Sequence, residues 1–417
     1  MVNKVIQLRC DCNQVPFSKL TLPQYPWGKT GRESIAATLC EKTPGNGFKL
    51  DESKPYAEMW MGTYPTLPSY VLETDENLQD VLDKHSQELI GDKVIKKFGH
   101  TKLPYLPKVL SISKALPLQL HPNKDLAAKL HEKDPEQFTD SNHKPEIALA
   151  LGPFEAFVGF KPLESIQKLF ELEPLQKFLP KVKKPDFDDQ VLKHVVETLL
   201  KASEDDVKST NKALLDLPKE KFGKETYIPE LIPRLSEQYD IEDNGTLVAL
   251  LTMNYLQLSE GDSIYIPADG IHAYLSGDII ECMARSDNVL NTGFCPRADR
   301  NNVDTFVGCL TFSPHNTSEA ILEPRSFDGS SNGKTQIYAP PMSEFNMLMT
   351  SLNDGESDKI RAIGGPSIMI VTEGEGTLKA DGKEHKLSAG YIFFIGQGTE
   401  MEFSATKKLK AFTAHAE

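Results

Sequence analysis

The sequence predicts a mainly β protein that is interrupted by a helical subdomain. Residues 1–160 mix short apolar alternations with proline and glycine, which is typical of many short strands. Near Lys161 the apolar spacing changes to three and four residues, which indicates amphipathic helices. Alternation returns at 261–274 and again beyond 334, so we expect two β units separated by a helical insertion.

The length of 417 residues exceeds what a single core usually supports. We expect a first β domain from residues 1–160 together with 246–325, a helical subdomain at 161–245, and a C-terminal β domain at 326–417. A polar, glycine- and serine-rich stretch at 328–333 marks the last boundary. Within the final unit, Asp381-Gly382 predicts a hairpin turn.

A faint internal repeat connects the two β units. The segment from Ala389 to Ile395 is similar to that from Glu260 to Ile266, and the same register places Met401 opposite His272. Both units look like cupin-type jelly rolls, in which two sheets enclose a cavity, so the chain is expected to be a bicupin. The first unit would contain the active site, and the second would contribute only to packing.

The charge composition excludes some partners. The net charge of −14, from 46 basic and 60 acidic residues, argues against a nucleic acid or an anionic membrane as partner. An anionic substrate would therefore need a local cluster of lysine and arginine.

The first 20 residues contain no apolar run long enough for a secretory signal, and no later segment approaches the ~20 apolar residues of a membrane span. We therefore expect a cytoplasmic protein. The sequence leaves the oligomeric state open, and a monomer is the working expectation.

The segment from Pro117 to Pro122 gives the clearest indication of a functional site. If it is a strand, Gln119 and His121 lie on the same face, since side chains alternate along a strand. Glu146 adds a carboxylate, and His272 ends a Gly-Asp-x-Ile-Tyr-Ile-Pro-x-x-x-x-His pattern. Two imidazoles, a carboxylate and a carboxamide suit a divalent ion, Zn²⁺ first, with a position left for water or substrate.

Each of these residues also has an ordinary structural interpretation. A histidine such as His121 is more often hydrogen-bonded than metal-bound, and a strand glutamine such as Gln119 is usually a surface group. Glutamine is also an uncommon zinc ligand, because its neutral oxygen stabilises the ion less than a carboxylate does. The combination of separate segments favours a metalloenzyme.

Several widely spaced blocks resemble the type I mannose-6-phosphate isomerase (phosphomannose isomerase) family, its fungal and animal forms most closely. The resemblance covers nearly the whole chain, and its blocks are 27–29, 56–63, 119–124, 140–146, 159–162, 272–278 and 286–288. It implies interconversion of mannose 6-phosphate and fructose 6-phosphate through a cis-enediol, with one Zn²⁺ per chain and a small phosphosugar as substrate. By the same resemblance the zinc ligands are Gln119, His121, Glu146 and His272.

The candidate catalytic residues follow from position and from the resemblance. Lys144 lies two residues before Glu146, so in an extended segment it points into the same cavity and can shuttle protons or hold an anion. The alternative for Lys144 is a solvated loop residue. Glu281 and Asp287 are possible acid/base partners, with a packing role as the equal alternative.

The chain departs from the family pattern at three positions. Pro117 replaces a serine, Tyr64 replaces a histidine, and the arginine regarded as catalytic in many relatives falls on Asn291. We expect Arg297 to supply the missing positive charge, because its planar guanidinium can hold a phosphate or oxyanion in two hydrogen bonds. Arg300 is expected at the surface, paired with a nearby aspartate.

Two other functions remain open at this level. An iron-dependent cupin oxygenase would use a site of two histidines and one carboxylate. A sugar-binding or storage-type bicupin without activity could keep the fold while losing the metal, which would leave four matching ligand positions unexplained.

Overall fold

A computed structural model describes the chain over residues 2–10, 25–181, 186–342 and 344–417. Over these ranges the protein consists of two large antiparallel sheets and a group of helices inserted between two strands of the first sheet. No helix in the described ranges is both long enough and apolar enough to cross a membrane.

The strands are short in the first half of the chain and longer in the second. In chain order they are β1 (Val5–Arg9), β2 (Lys29–Thr30), β3 (Pro55–Tyr56), β4 (Glu58–Trp60), β5 (Tyr70–Val71), β6 (Tyr105–Ile112), β7 (Leu118–Leu120), β8 (Glu146–Ala150), β9 (Phe154–Phe160), β10 (Met253–Leu258), β11 (Ser263–Ile266), β12 (His272–Ala284), β13 (Leu290–Gly293), β14 (Arg325–Ser326), β15 (Thr335–Tyr338), β16 (Asn346–Leu352), β17 (Ser357–Ile360), β18 (Ser367–Ala380), β19 (Lys383–Ser388), β20 (Ile392–Ile395) and β21 (Met401–His415).

The largest group of helices lies between β9 and β10. In chain order the helices are α1 (Ile35–Lys42), α2 (Leu78–Lys84), α3 (Ser86–Leu89), α4 (Asp92–Phe98), α5 (Lys124–Lys133), α6 (Leu163–Leu169), α7 (Asp189–Lys201), α8 (Glu204–Leu215), α9 (Ile228–Tyr239), α10 (Asn244–Thr252), α11 (Val303–Cys309) and α12 (Thr317–Ala320), with 3₁₀ turns at Gly31–Glu33, Glu173–Phe178, Lys219–Phe222 and Arg297–Asp299.

The first sheet contains nine strands, drawn from both sides of the helical insertion. Its centre is β12, which pairs with β6, β7, β8 and β9. All eight residues of β6 and all but one of the residues of β12 are buried. The strand β12 therefore joins the segments before the insertion to those after it.

The helical insertion matches its predicted pattern at α7, where Val191, Val195 and Leu199 are buried on one face. It extends further than residue 245, because α10 continues to Thr252. Every residue of α10 is buried. A helix enclosed on all sides shows no amphipathic period in its sequence, which explains why this boundary was missed.

The second sheet contains ten strands, with β18 and β21 as its longest members. The strand β18 is continuous from Ser367 to Ala380, and its pairing with β21 shifts register between 371 and 376. A β-bulge lets the strand continue through polar residues that look like a break in the sequence. The predicted hairpin turn is present, with φ values of 49° at Asp381 and 72° at Gly382.

The N-terminal strand β1 belongs to this second sheet, where it pairs with β20 on one side and β5 on the other. This differs from the expectation that residues 1–160 contribute to the first β unit alone. The other proposed domain boundaries stay a prediction.

The internal repeat has a direct structural counterpart. His272 is the first residue of β12, and Met401 is the first residue of β21, each after a short preceding strand. The buried Met401 therefore occupies in the second unit the place that His272 occupies in the first.

Candidate metal centre and substrate cavity

Three predicted ligands converge at one end of the first sheet. His121 directly follows β7, Glu146 begins β8, and His272 begins β12, which pairs with both strands. The turn after His121 is fixed by Asn123, whose side chain caps α5 by accepting a hydrogen bond from the Leu126 N–H at 3.1 Å. One ligand atom from each of the three residues lies within 4.8 Å of the other two.

Both histidines are held in the tautomer that a metal requires. The Nδ1–H groups of His121 and His272 donate to the carbonyl oxygens of Asn288 at 2.8 Å and Gly270 at 2.9 Å. Since a carbonyl can only accept, the proton is on Nδ1 and the Nε2 lone pair is left available. Both Nε2 atoms are buried and have no hydrogen-bond partner among the described residues. Such orphaned acceptors fit a metal ion.

The charges of the cluster also suit a divalent cation. Glu146 Oε1 lies 3.2 Å from His121 Nε2, and Oε2 lies 3.6 Å from His272 Nε2. Burial alone would raise the pKa of Glu146, but His121 and Lys144 outweigh it and hold the pKa well below its usual range. Burial, aided by Lys144, lowers the pKa of His121 to about 4. At neutral pH the cluster is therefore one carboxylate and two neutral imidazoles, a donor set typical of zinc.

Gln119 lies on the strand beside this cluster. In the register of β7 it is directly opposite His272 on one neighbour and Asn291 on the other. Directly opposed residues place their side chains on the same face of a sheet. The structure thus gives Gln119 the position of a fourth ligand, and this assignment stays a prediction.

A cavity of about 770 Å³ opens beside the cluster, with Gln119 and Glu146 in its wall. All the predicted catalytic residues line it: Lys144, Glu281, Asp287 and Arg297. Lys144 is the cation nearest the cluster, with its Nζ 3.6 Å from Glu146 Oε1 and its side chain 14% exposed. The structure therefore brings these side chains around one space, next to the candidate metal centre.

Glu281 belongs to a buried charge cluster in the cavity wall. Its Oε2 lies 3.0 Å from the Nζ of Lys108, which also faces Glu58 at 3.9 Å. Burial, together with the charges of Glu146 and Glu58, outweighs Lys108 and raises the pKa of Glu281 to about 7. A carboxyl group that titrates near neutral pH is suited to proton transfer.

Lys108 was not singled out from the sequence. It is the one charged residue of β6, a strand whose residues are all buried. The sequence feature that could have identified Lys108 is a lysine within an otherwise uncharged strand. Buried charges occur where a partner or a function requires them.

The two arginines of the loop after β13 both line the cavity, but Arg300 is placed differently from expectation. Arg300, expected at the surface, lies 2.5 Å from the carboxylate of Asp243, and these side chains are 16% and 1% exposed. Arg297 pairs with Glu204 at 2.6 Å, and both side chains are more than half exposed. The expectation for Arg300 was wrong because its partner is the N-cap of α10, far away in sequence.

Replacing Arg300 by methionine is expected to lower the free energy of unfolding by about 3 kcal/mol, because it leaves the Asp243 carboxylate buried without its partner. Urea unfolding followed by circular dichroism measures this. The matched control is Arg325→Met in the exposed strand β14, which should change stability by less than ~0.5 kcal/mol. Equal stability of the two variants would show that the buried pair contributes nothing.

Comparison with known proteins tests the family prediction. Residues 18–163 match the model of the phosphomannose isomerase type I catalytic domain, and residues 336–383 match that of the type I C-terminal region. The mannose-6-phosphate isomerase of Schizosaccharomyces pombe is 38% identical over 407 residues, covering 94% of this chain and 96% of the relative. That of Candida glabrata is 39% identical, covering 92% and 94%. The chain belongs to the type I phosphomannose isomerase family.

Solved structures support the predicted fold class. The apo mannose 6-phosphate isomerase of Salmonella typhimurium superimposes with a TM-score of 0.80 at 24% identity, over all of both chains. A zinc-bound mannose 6-phosphate isomerase gives a TM-score of 0.81 at the same identity, again over both whole chains. The predicted family and the mainly β, cupin-like fold with a helical part are thus confirmed.

Proposed function

We propose that this chain interconverts mannose 6-phosphate and fructose 6-phosphate as a zinc-dependent aldose–ketose isomerase. The observation that carries the proposal is the buried His121–Glu146–His272 cluster opening onto a cavity lined by acid/base groups. Membership of the family, whose relatives in Schizosaccharomyces pombe and Candida glabrata bear this name, supports it. We further propose a monomer located in the cytoplasm.

One Zn²⁺ per chain would be held by His121, Glu146, His272 and Gln119. Zinc bound there would supply Lewis-acid chemistry that stabilises the negative charge developing on the sugar oxygens. The buried Nε2 atoms and the anionic Glu146 support this assignment.

The reaction moves a proton between C2 and C1 of the open-chain sugar through a cis-enediol. Glu281 is proposed as the base that removes the carbon-bound proton and returns it to the neighbouring carbon, since its pKa of about 7 allows both steps. Lys144 would hold the developing oxyanion by a charge-assisted hydrogen bond. Asp287, on the cavity wall, would exchange the hydroxyl proton.

The competing functions are less well supported. The His121–Glu146–His272 cluster has the composition of an oxygenase site, but the family relation favours isomerisation. A binding protein without activity leaves the acid/base groups of the cavity unexplained. The deciding experiment is a coupled assay that converts mannose 6-phosphate to fructose 6-phosphate, with and without a chelator. Absence of turnover by the zinc-loaded protein would refute the proposal.

Arg297 is proposed as the cation that replaces the family arginine at Asn291. It can leave Glu204 easily, since both side chains are largely exposed and exposed ion pairs are weak. Arg297→Met is therefore expected to lose about 10²-fold in turnover, the typical effect of removing one anion-stabilising donor. Arg325→Met, which removes the same charge from an exposed strand, is expected to keep normal rates.

The second arm of this experiment adds Asn291→Arg to the Arg297→Met variant. Asn291 lies opposite Gln119, so a guanidinium there would enter the cavity close to the candidate metal centre. Partial recovery of turnover is the expected outcome. Normal rates for Arg297→Met would remove this residue from the reaction.

A further inference from the structure

The cavity wall presents a problem for an anionic substrate. Among the described residues that line it, nine carboxylates face five cations. Four of these cations already have a carboxylate within 4.0 Å, namely Lys108 with Glu281 at 3.0 Å, Lys144 with Glu146 at 3.6 Å, Arg297 with Glu204 at 2.6 Å, and Arg300 with Asp243 at 2.5 Å. The exception is Lys114, which has no carboxylate within that distance among the described residues.

Lys114 is held in place by its backbone and by an aromatic ring. It lies between β6 and β7, where its N–H donates to the carbonyl of Trp27 at 3.2 Å. Its Nζ lies 4.1 Å from the centre of the Tyr239 ring, a cation–π contact. The hydroxyl of Tyr239 donates to the carbonyl of Ala115 at 2.5 Å. The end of α9 thus fixes the turn that carries the lysine.

Lys114 is therefore a cation with a restricted position and no ion-pair contact among the described residues, although Asp240 acts on it from a longer distance. Gln238, the neighbour of Tyr239, adds to the restriction because its Oε1 accepts the Ala115 N–H at 3.0 Å. An anion that approaches Lys114 displaces no carboxylate, whereas at the other cations it must compete with one. Each of the other four cations of the wall is partly neutralised by a carboxylate within 4.0 Å, so a phosphate group competes least with the carboxylates of the protein at Lys114.

We propose that Lys114, seated on Tyr239, binds the phosphate group of the substrate. The proposal rests on the proposed function and names the residue that anchors the nonreacting end of the sugar. Lys114 precedes Gln119 by five residues, so their Cα atoms are at most ~18 Å apart. Lys114, Gln119 and Glu146 line the same cavity, so a phosphate held by Lys114 lies in the same space as the candidate metal centre.

The test compares Lys114→Met with Lys208→Met, which removes the same charge from an exposed position on α8 outside the cavity wall. Lys114→Met is expected to raise KM for mannose 6-phosphate about tenfold or more, with kcat within about twofold of normal, because a remote anchor acts equally on ground and transition states. Lys114→Arg should restore most of the affinity. Lys208→Met should leave both parameters unchanged.

Inorganic phosphate provides a readout that does not depend on turnover. Its dissociation constant, measured by calorimetry on the zinc-loaded protein, is expected to rise by the same factor in Lys114→Met. Unchanged phosphate affinity, or a fall in kcat at constant KM, would overturn the proposal. If the wild-type protein had no isomerase activity, the proposed function would fail while this titration still decided the phosphate site.

Discussion

Replacement of His121 or His272 by alanine is expected to abolish both zinc binding and isomerase activity while leaving a folded protein. The two residues come from segments far apart in the sequence, and their Nε2 atoms lie 3.2 and 3.6 Å from the carboxylate oxygens of Glu146. Loss of either imidazole opens the coordination shell, and metal affinity depends on the complete ligand set. Elemental analysis of the purified variants measures zinc per chain, and circular dichroism verifies the fold.

The matched control is His194→Ala, which removes an exposed histidine of α7. It should retain about one zinc per chain and full activity. Full zinc occupancy in both His121→Ala and His272→Ala would exclude these residues as ligands.

Lys144→Met is expected to retain zinc yet lose 10²- to 10⁴-fold in turnover, the range found for a positioned acid/base or charge-stabilising group. The ammonium group lies beside Glu146 and lines the cavity, whereas the methionine side chain has similar length and no charge. Steady-state kinetics and elemental analysis on the same preparation separate an effect on chemistry from loss of metal.

Lys129→Met, on the exposed face of α5, is the control that removes a lysine near the same loop without altering the cavity. A rise in KM alone for Lys144→Met would assign this lysine to substrate binding. Unchanged kinetics would place it outside the reaction.

The candidate metal residues could be predicted because the relevant information is local. Gln119 lies on β7 and His121 directly follows it, and the alternation of side chains along an extended chain predicts that both lie on one face. Their convergence with Glu146 and His272 required the additional evidence of a matching family pattern. The structure then supplied what spacing cannot, namely the hydrogen bonds that set the histidine tautomers.

Other parts of the site depend on pairings that the sequence does not reveal. Lys108 and Glu281 are directly opposite each other on β6 and β12, a register fixed by the folded sheet. Arg300 and Asp243 meet across the boundary between the helical insertion and the first sheet. In each case two charged residues that are far apart in the chain become partners. The spacing of the apolar residues around them does not predict the pairing.

The position of β1 in the second sheet has a consequence for how the chain is made. Residues Val5–Arg9 are synthesised long before their partner β20 (Ile392–Ile395), because the helical insertion and most of the other strands lie between them in the sequence. Until those residues have been made, the strand can pair only with β5 (Tyr70–Val71), and its other edge is left without its partner, a state that is prone to aggregation. Such long-range pairing also slows folding, because the loop that it closes spans residues 10–391. A fragment that ends at residue 325 would leave β1 and β5 without the sheet that they complete.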